Sequence, residues 1–575
     1  MYMKSSNELR TMLRAIDHKG YPAYKSLAGG YQFGKYLLFI DHVQGDPFAS
    51  PSSLHVEVGH KEAGFPEEYY RERCGRVALQ DYLTRKFGEQ VENYNFKAKG
   101  SGKSGLLSIT RCGQEVLERS ACQITTGGVT VRFQVGFPAF GRTINAGELE
   151  KILFEFLPKC VENSLFYRRL DSRSVEQAVF LAEDQEAVRR ILKKEKWAAF
   201  VANGSILPRK SGVSDLPMKG SVPFESPGSL ERTLKLPHGG EIRGMAVPQG
   251  ITLIVGGGYH GKSTLLDALQ MGVYDHIAGD GREFVITDDT AVKLRAEDGR
   301  SIRNVDISLF INDLPNKKDT SSFSTPDASG STSQAAGVVE GIEAGAGAFL
   351  IDEDTSATNF MVRDDFMQQV ISREKEPITP FLERAKDLYE KAGISTILVA
   401  GSSGAFFYIA DVILQMDCYR PVDITARVKE MCGQHRAPRI QAPGFAVPQF
   451  QRTMEGGKSS PKTEMRGNWN DRGGRDSMKV KTMGRDGFSL DREMVDLRYI
   501  EQLADSEQTA GLAYLLRYAL ERVIDGKKTV QQVVDILADM LDKKGWEPFS
   551  GSYVACGFAK PRRQEIFACL NRFRG

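Results

Sequence analysis

Short apolar runs alternate with helical stretches from residue 251 onward. The clearest runs are ITLIV (251–255), AFLI (348–351) and STILVAG (395–401). Runs of this kind are typical of parallel strands that are covered by helices on both faces. Because helical stretches fall between them, the pattern predicts a doubly wound α/β domain.

The two ends of the chain have different patterns. Residues 1–195 mix helices with strand-like segments such as 37–40 and 129–133, and 147–195 is helical and highly charged. Near the other end, Thr529 is placed to cap a helix, and the apolar residues after it share one helical face. These residues are Val530, Val533, Val534, Leu537 and Leu541. We therefore expect an α+β N-terminal domain and a mostly helical C-terminal domain around the α/β core.

Five segments follow from these patterns and from the Pro- and Gly-rich stretches between them. They are an N-terminal domain (1–195), a connector (196–245), an α/β core domain (246–445), a basic flexible insert (446–490) and a C-terminal helical domain (491–575). A chain of 575 residues is too long for one hydrophobic core, which agrees with several domains.

Composition excludes some classes of protein. No run of 18 apolar residues is present, so we expect a soluble protein with no membrane partner. The start, MYMKSSNELR, lacks the features of a signal or transit peptide. None of the eight cysteines stands in CxxC spacing, which argues against a zinc site and favours free thiols in a reducing compartment.

GGGYHGKST (256–264) fits the phosphate-loop pattern GxxxxGK[ST]. Glycines let successive N–H groups turn toward phosphate oxygens, Lys262 adds a charge at the β- and γ-phosphates, and Ser263 is a Mg²⁺ ligand. The predicted ATP- or ADP-binding residues here are Gly256, Gly257, Gly258, Tyr259, His260, Gly261, Lys262, Ser263 and Thr264. A chance match in a Gly-rich chain is the alternative, but the strand before the loop and the helix after it favour nucleotide binding.

The strand AFLI ends in Asp352 and Glu353, 90 residues after Lys262. Asp352 is expected to hold Mg²⁺, and Glu353 to act as the general base for the attacking water. The alternative is that both carboxylates only cap a solvated strand end. The upstream phosphate loop favours the catalytic role.

A third segment, ASGSTSQ (328–334), is similar to the LSGGQ-like signature of ABC ATPases. In such enzymes this turn meets the γ-phosphate held by a second copy, which assigns that role to Ser329 and Gly330. The order of phosphate loop, signature-like turn, acidic strand end and Ser-Ala-Thr turn (356–358) resembles the predicted ABC-class ATPases found mainly in bacteria. Further resembling stretches are IDHVQGDPFASPS (40–52), LPRKSGVSD (207–215), AGDGREFVITDD (278–289), KLRAEDGRSI (293–302), KEPITPF (375–381) and YIEQLADSEQT (499–509).

The resemblance implies an ABC-type core that binds ATP and Mg²⁺ in a head-to-tail homodimer. The chain also resembles a eukaryotic relative, an ATPase subunit of the kinetoplastid mitochondrial RNA-binding complex linked to RNA editing, particularly in its basic Gly-rich insert. That likeness implies an RNA-processing complex in the mitochondrial matrix; without it, we expect a cytoplasmic protein.

Some residues depart from the ABC pattern. The strand after the acidic end runs into Gly401-Ser402-Ser403-Gly404, where these enzymes usually place a switch His. Asn312 is the nearest candidate for the Q-loop glutamine. At the turn that commonly reads GGSGDYFDVAD, Ala405 and Tyr408 replace carboxylates. Slow turnover is therefore expected.

Residues 452–485 carry nine basic and four acidic side chains and almost no aliphatic ones. Arg466, Trp469, Arg472 and Arg475 combine an aromatic ring with cations, a pattern typical of single-stranded RNA binding. A solubilising linker is the alternative. Three functions are thus weighed: an ATPase that clamps or remodels RNA, a nucleotide-gated RNA-binding scaffold with negligible turnover, and a P-loop small-molecule kinase, against which the signature-like turn counts.

Overall fold

A computed structural model describes residues 3–363, 370, 375–435, 437, 442–455 and 478–574. The chain divides into two compact units. The first contains residues 1–186 and 546–560, and the second contains 187–545 and 561–575. Each is described by itself.

The first unit is built on an antiparallel sheet with helices. Its strands are β1 (Lys4–Ser5), β2 (Gly29–Phe33), β3 (Tyr36–His42), β4 (Ser52–Val58), β5 (Leu107–Ser108), β6 (Glu115–Val116), β7 (Cys122–Thr125), β8 (Gly128–Val135), β9 (Ala139–Phe140) and β10 (Thr143–Ile144). Its α-helices are α1 (Ser6–Ala15), α2 (His60–Ala63), α3 (Glu68–Arg71), α4 (Arg73–Glu92), α5 (Ala146–Lys151), α6 (Leu157–Leu165) and the first part of α7 (Ser172–Glu195). A π-helical turn (Ile152–Phe156) lies between α5 and α6, and a 3₁₀ turn covers Tyr21–Leu27.

The main sheet of this unit has the order β1-β2-β3-β4-β8-β5, and β7 also pairs with β8. Alternate residues of β4 and β8 are buried, so one face of each strand packs on the core. Leu54, Val56, Val131 and Phe133 belong to that core. The α+β character predicted for the N-terminal region is confirmed.

The second unit contains a mostly parallel sheet together with several shorter strands. Its strands before the signature-like turn are β11 (Trp197–Ala202), β12 (Arg209–Ser211), β13 (Ser214–Pro217), β14 (Glu231–Lys235), β15 (Glu241–Pro248), β16 (Ile251–Val255), β17 (Asp275–His276), β18 (Val285–Thr287), β19 (Val292–Leu294), β20 (Arg300–Val305) and β21 (Phe323–Ala328). Those after it are β22 (Ala348–Asp352), β23 (Ser395–Val399), β24 (Val412–Asp417) and β25 (Arg420–Asp423). The helices are α8 (Lys262–Met271), α9 (Gly330–Glu343), α10 (Thr358–Met361), α11 (Phe381–Ala392) and α12 (Thr425–Gly433).

A six-stranded sheet with the order β19-β22-β23-β16-β24-β25 forms the centre of this unit. In this sheet β19, β22, β23, β16 and β24 run parallel, and β25 is antiparallel to β24. Neighbouring residues of one strand enter different apolar clusters: Leu253 packs in one, Ile254 in the other. The sheet is therefore covered on both faces, and the predicted α/β core is confirmed.

The segment 196–245, predicted as a connector, contains strands β11 to β15. A second, four-stranded sheet has the order β14-β15-β11-β18, so three of its four strands start within this segment. Leu234 and Met245 of this sheet are buried. The residues between its strands include turns, and their Pro and Gly dominate the composition of the segment. Turn residues outnumber the short strands in this stretch, which explains why composition indicated a connector.

The C-terminal region combines three helices with a small sheet. The elements are β26 (Val480–Thr482), β27 (Gly487–Leu490), β28 (Glu493–Asp496), α13 (Ser506–Tyr518), α14 (Val530–Lys544) and α15 (Arg563–Arg572). Thr529 accepts a hydrogen bond from the amide of Gln532 and caps α14, as the sequence predicts. The mostly helical class is confirmed, and the antiparallel sheet β26-β27-β28 adds to it.

Candidate nucleotide-binding site

The loop after β16 is shaped for an anion. Gly256 and Gly261 have φ of 143° and 95°, which side chains rarely tolerate. A Cβ on Gly256 would lie 2.6 Å from the carbonyl oxygen of Met416. Helix α8 starts at Lys262, so its first N–H groups, which lack intrahelical partners, point into the loop.

Lys262 lies over this loop. Its Nζ donates to the carbonyl oxygens of Gly256 and Gly257 at 2.8 and 2.9 Å. The ammonium group thus lies where a bound phosphate chain would need a counter-charge.

A turn between β24 and β25 supports the tip of the loop. The amide of Cys418 donates to Nδ1 of His260 at 3.0 Å, and the amide of Tyr419 donates to the carbonyl oxygen of His260. The side-chain atoms of His260, Asp417 and Cys418 that could coordinate a metal ion lie within 4.8 Å of one another. Tyr259, by contrast, is almost fully exposed. Sequence analysis did not find this support because the turn lies more than 150 residues from the loop.

Ser263 and Asp352 meet at the edge of the sheet. The Oγ of Ser263 lies 3.4 Å from Oδ2 of Asp352. Two cis ligands of one Mg²⁺ ion lie about 3 Å apart, since each binds at 2.0–2.1 Å. Both donors are oxygens, so the pair fits the predicted metal, which would supply charge neutralisation at the phosphates.

Glu353 is directed toward the turn that follows β23. Its Oε2 accepts from the amides of Gly401 and Ser402 at 2.7 and 3.0 Å, and its Oε1 accepts from the hydroxyl of Ser402. Burial raises the pKa of Glu353, but these hydrogen bonds outweigh it and hold the pKa below its ordinary value. The carboxylate therefore stays ionised at neutral pH.

The signature-like turn caps α9. Ser329 is the N-cap residue and is exposed, and its hydroxyl pairs with that of Thr332 at 3.0 Å. Gly330 lies against Ala296 and Asp298, where a Cβ would be 3.2–3.3 Å from side-chain atoms. The hydroxyl of Ser329 therefore lies at the surface, at the N-terminus of α9.

Buried Gln334 joins this helix to the acidic strand end. Its Nε2 donates to the hydroxyl of Ser356 at 2.9 Å, and its Oε1 accepts from the amide of Ala357 at 2.9 Å. Ser356 in turn donates to the carbonyl oxygen of Asp352 at 2.8 Å. Sequence analysis assigned Gln334 no role, although its place in the signature-like segment was a signal.

A buried lysine lies behind Asp352. Burial lowers the pKa of Lys293, although the charges of Glu501, Asp352 and Asp267 oppose this. Glu501 also pairs with Arg295, and Gln502 accepts from the amide of Lys293 at 2.9 Å. The C-terminal stretch YIEQLADSEQT therefore contacts the strand next to β22.

Asn312, the candidate for the Q-loop glutamine, forms its side-chain hydrogen bond within its own loop. The carboxamide of Asn312 donates to the carbonyl oxygen of Ser308 at 2.6 Å. Its contact with nucleotide stays a prediction. Arg466, Trp469, Arg472 and Arg475 lie outside the described residues.

Three family models match the chain. The P-loop domain of the ABC ATPase model matches residues 171–452, and the N-terminal model for ATPases of the ABC class matches 6–168. The chain belongs to the ABC-class ATPase family. A third model, the MRB1590 C-terminal domain, matches residues 479–575 of this ABC-class ATPase.

Two individual proteins are similar to parts of this ATPase. Uncharacterized protein MJ1628 of Methanocaldococcus jannaschii is 32% identical over 233 residues, which are 38% of this chain and 50% of that protein. The chain thus spans about half the length of this curated relative. The structure of cbiO1 from Clostridium perfringens, part of the ABC transporter complex cbiONQ, aligns at 11% identity over 42% of this chain and 92% of that chain. Its TM-score of 0.24 is too low to show a common fold.

Among the described residues, no helix is long and apolar enough to cross a membrane.

Proposed function

We propose that this ABC-class ATPase hydrolyses ATP, with Mg²⁺, at sites completed by a second copy of the chain. The main observation behind this proposal is that the hydroxyl of Ser263 lies 3.4 Å from the carboxylate of Asp352. Lys262 precedes Ser263 in the phosphate loop, and Glu353 follows Asp352 in sequence. Lys262 and the loop amides bind the phosphates. Ser263 and Asp352 hold the metal, and ionised Glu353 accepts a proton from the attacking water.

The homodimer is supported by the exposed end of α9. Ser329 and Gly330 place a helix N-terminus and a hydroxyl at the surface, where they suit the γ-phosphate of ATP bound to another copy. Gln334 and Ser356 link that end to Asp352 in the same copy. A partner's nucleotide would thus be sensed at each copy's own metal site.

Mixing two inactive variants tests this arrangement. Lys262→Ala removes the phosphate-loop cation, and Ser329→Arg blocks the signature-like turn. In a head-to-tail heterodimer both defects fall in one site and the other site is intact. Random mixing should therefore restore about a quarter of the wild-type ATPase rate.

A matched control uses two defects that lie on the same side of the site. Lys262→Ala mixed with Glu353→Gln leaves every site defective and should restore nothing. If the first mixture is as inactive as this control, while sizing chromatography shows that copies have exchanged, the head-to-tail dimer is wrong.

We also propose that this ATPase binds or remodels RNA. The basic insert with Trp469 supports it, as does the resemblance to an RNA-binding-complex subunit. On the same resemblance we propose that the protein acts in the mitochondrial matrix. Deleting residues 456–477 removes the part of the insert that carries Trp469 and its neighbouring arginines, but keeps Arg452, which pairs with Glu343. We expect weaker single-stranded RNA binding and a smaller salt dependence. An unchanged affinity and salt slope would remove the insert from the proposal.

A second candidate is a nucleotide-gated RNA-binding scaffold with negligible turnover. The turn after β23 favours it, because that turn carries no His and three of its donors bind Glu353. Single-turnover assays with radiolabelled ATP separate the two. If bound ATP is retained intact while RNA affinity changes, the scaffold is correct.

A further inference from the structure

Three exposed phenylalanines lie on the N-terminal unit. Phe48, Phe96 and Phe140 are 64%, 48% and 65% exposed, and they are the phenylalanines among the exposed large hydrophobic residues of the described chain. Most other phenylalanines of this unit are buried in its core. Large apolar side chains exposed to solvent on the same surface indicate a site that contacts a ligand.

One glycine-rich loop brings these rings together. Loop 96–105 is closed by the amide of Phe96, which donates to the carbonyl oxygen of Gly105 at 2.8 Å. The amide of Lys103 donates to Pro47, next to Phe48, and the amide of Ser101 donates to Ala139, next to Phe140. The loop therefore lies between the two segments that carry the other rings.

The loop is tightly packed against the first of these segments. Gly102 has φ of 62°, and a Cβ there would lie 2.9 Å from Cδ1 of Phe48. On the other side, the amide of Gly141 donates to the hydroxyl of Ser101 at 2.9 Å. The loop backbone is thus hydrogen-bonded on both sides, so little entropy is lost in ordering it on binding.

Four cations belong to the same segments as the rings. The loop sequence KAKGSGK contributes Lys97, Lys99 and Lys103, and Arg142 follows Phe140 with its side chain 79% exposed. The nearby carboxylates already have partners, since Asp46 pairs with Arg142 and Glu148 pairs with Lys151. Four cations against two carboxylates leave this surface positive.

Single rings separated by cations fit one class of partner. Unpaired bases stack on exposed rings, and the phosphates between them contact lysine and arginine. A membrane-binding face would instead present a continuous apolar area. The spacing of the rings by a polar, glycine-rich loop therefore favours a single nucleic-acid strand.

We propose that Phe48, Phe96 and Phe140, with Lys99, Lys103 and Arg142, form a binding surface for single-stranded nucleic acid. This N-terminal aromatic surface acts without the insert and without bound nucleotide. It rests on the RNA-binding part of the proposed function and names the residues that carry it.

Binding of a fluorescent 20-nucleotide oligouridine to the full chain tests the surface, measured by anisotropy at several salt concentrations without ATP. Phe48→Ala with Phe140→Ala should weaken binding at least about 30-fold, because two stacked bases are lost. The salt slope should not change, since no phosphate contact is removed. Lys99→Gln with Lys103→Gln should instead reduce the slope by about 1.4.

The matched control is Phe48→Tyr with Phe140→Tyr, which keeps the rings and should keep the affinity. If the alanine pair binds as tightly as wild type while deletion of 456–477 abolishes binding, this surface is wrong and RNA binding by the insert stands. If the wild-type chain binds no RNA, both proposals fail. Binding to phosphatidylserine vesicles that is lost in the alanine pair, with RNA binding intact, would overturn the surface in favour of a membrane.

Discussion

Two loops follow neighbouring parallel strands of the six-stranded sheet and use their N–H groups differently. Residues 256–261 follow β16, and residues 401–404 follow β23, which pairs with β16. The first loop leads into α8 and carries Lys262. The second loop directs two amides and a hydroxyl to Glu353 of the same chain.

The difference lies in the source of the anion. Parallel strand ends expose N–H groups wherever the chain turns, and these groups must find a partner. In the first loop, the glycine backbone leaves space for an external phosphate, and Lys262 supplies the positive charge that attracts it. In the second, a carboxylate at the end of adjacent β22 supplies the anion, so the turn binds Glu353, the proposed general base, instead of an external ligand.

Replacing the internal anion should have the largest effect. Glu353→Gln removes the proposed general base, and we expect the ATPase rate to fall about 100- to 10,000-fold. Nucleotide affinity, measured by calorimetry, should stay close to wild type. The control is Asp354→Asn, which changes an exposed neighbouring carboxylate and should keep the rate; equal losses in both variants would contradict the role of Glu353.

Removing the cation of the first loop should affect affinity next. Lys262→Ala loses a charge-assisted contact, so ATP affinity should fall about 10- to 100-fold. The second loop should be unaffected, because Glu353 keeps its donors. Equilibrium binding of a fluorescent ATP analogue measures the loss, and wild-type affinity in this variant would refute the phosphate loop.

Weakening the second loop should have a smaller effect. Ser402→Ala removes the hydroxyl donor but leaves the amides of Gly401 and Ser402, so kcat should fall about three- to tenfold. Ser403→Ala is the matched control, because its hydroxyl accepts from Ala405 and does not contact Glu353. Identical rates in the two variants would show that the Ser402 hydroxyl does not position the base.

The smallest expected change is a shift in pH dependence. The pKa of Glu353 lies below its ordinary value, so its contribution to stability is present above the unfolded pKa and is lost as pH falls through the folded pKa. Ser402→Ala should raise that folded pKa. The acid limb of kcat should then move to higher pH in this variant, while Ser403→Ala should keep the wild-type profile.

Local pattern was sufficient for many elements of the fold. The run ITLIV matches β16 residue for residue, and Thr529 caps α14, because strand burial and helix capping depend on neighbours in sequence. The carboxylates Asp352 and Glu353 were recognisable for the same reason, as they end an apolar strand. The strands within 196–245 were not predicted, because they are short and the Pro and Gly residues between them dominate the local composition.

The sequence alone determined the chemistry at each strand end: a lysine and glycines after β16, carboxylates after β22, serines and glycines after β23. Only the tertiary structure decided which of these groups meet. Strand order places β22, β23 and β16 side by side, which brings Ser263 to Asp352 and Glu353 to Ser402 across 89 and 49 residues. Such contacts depend on parallel pairing over long separations, where sequence spacing carries no information about register.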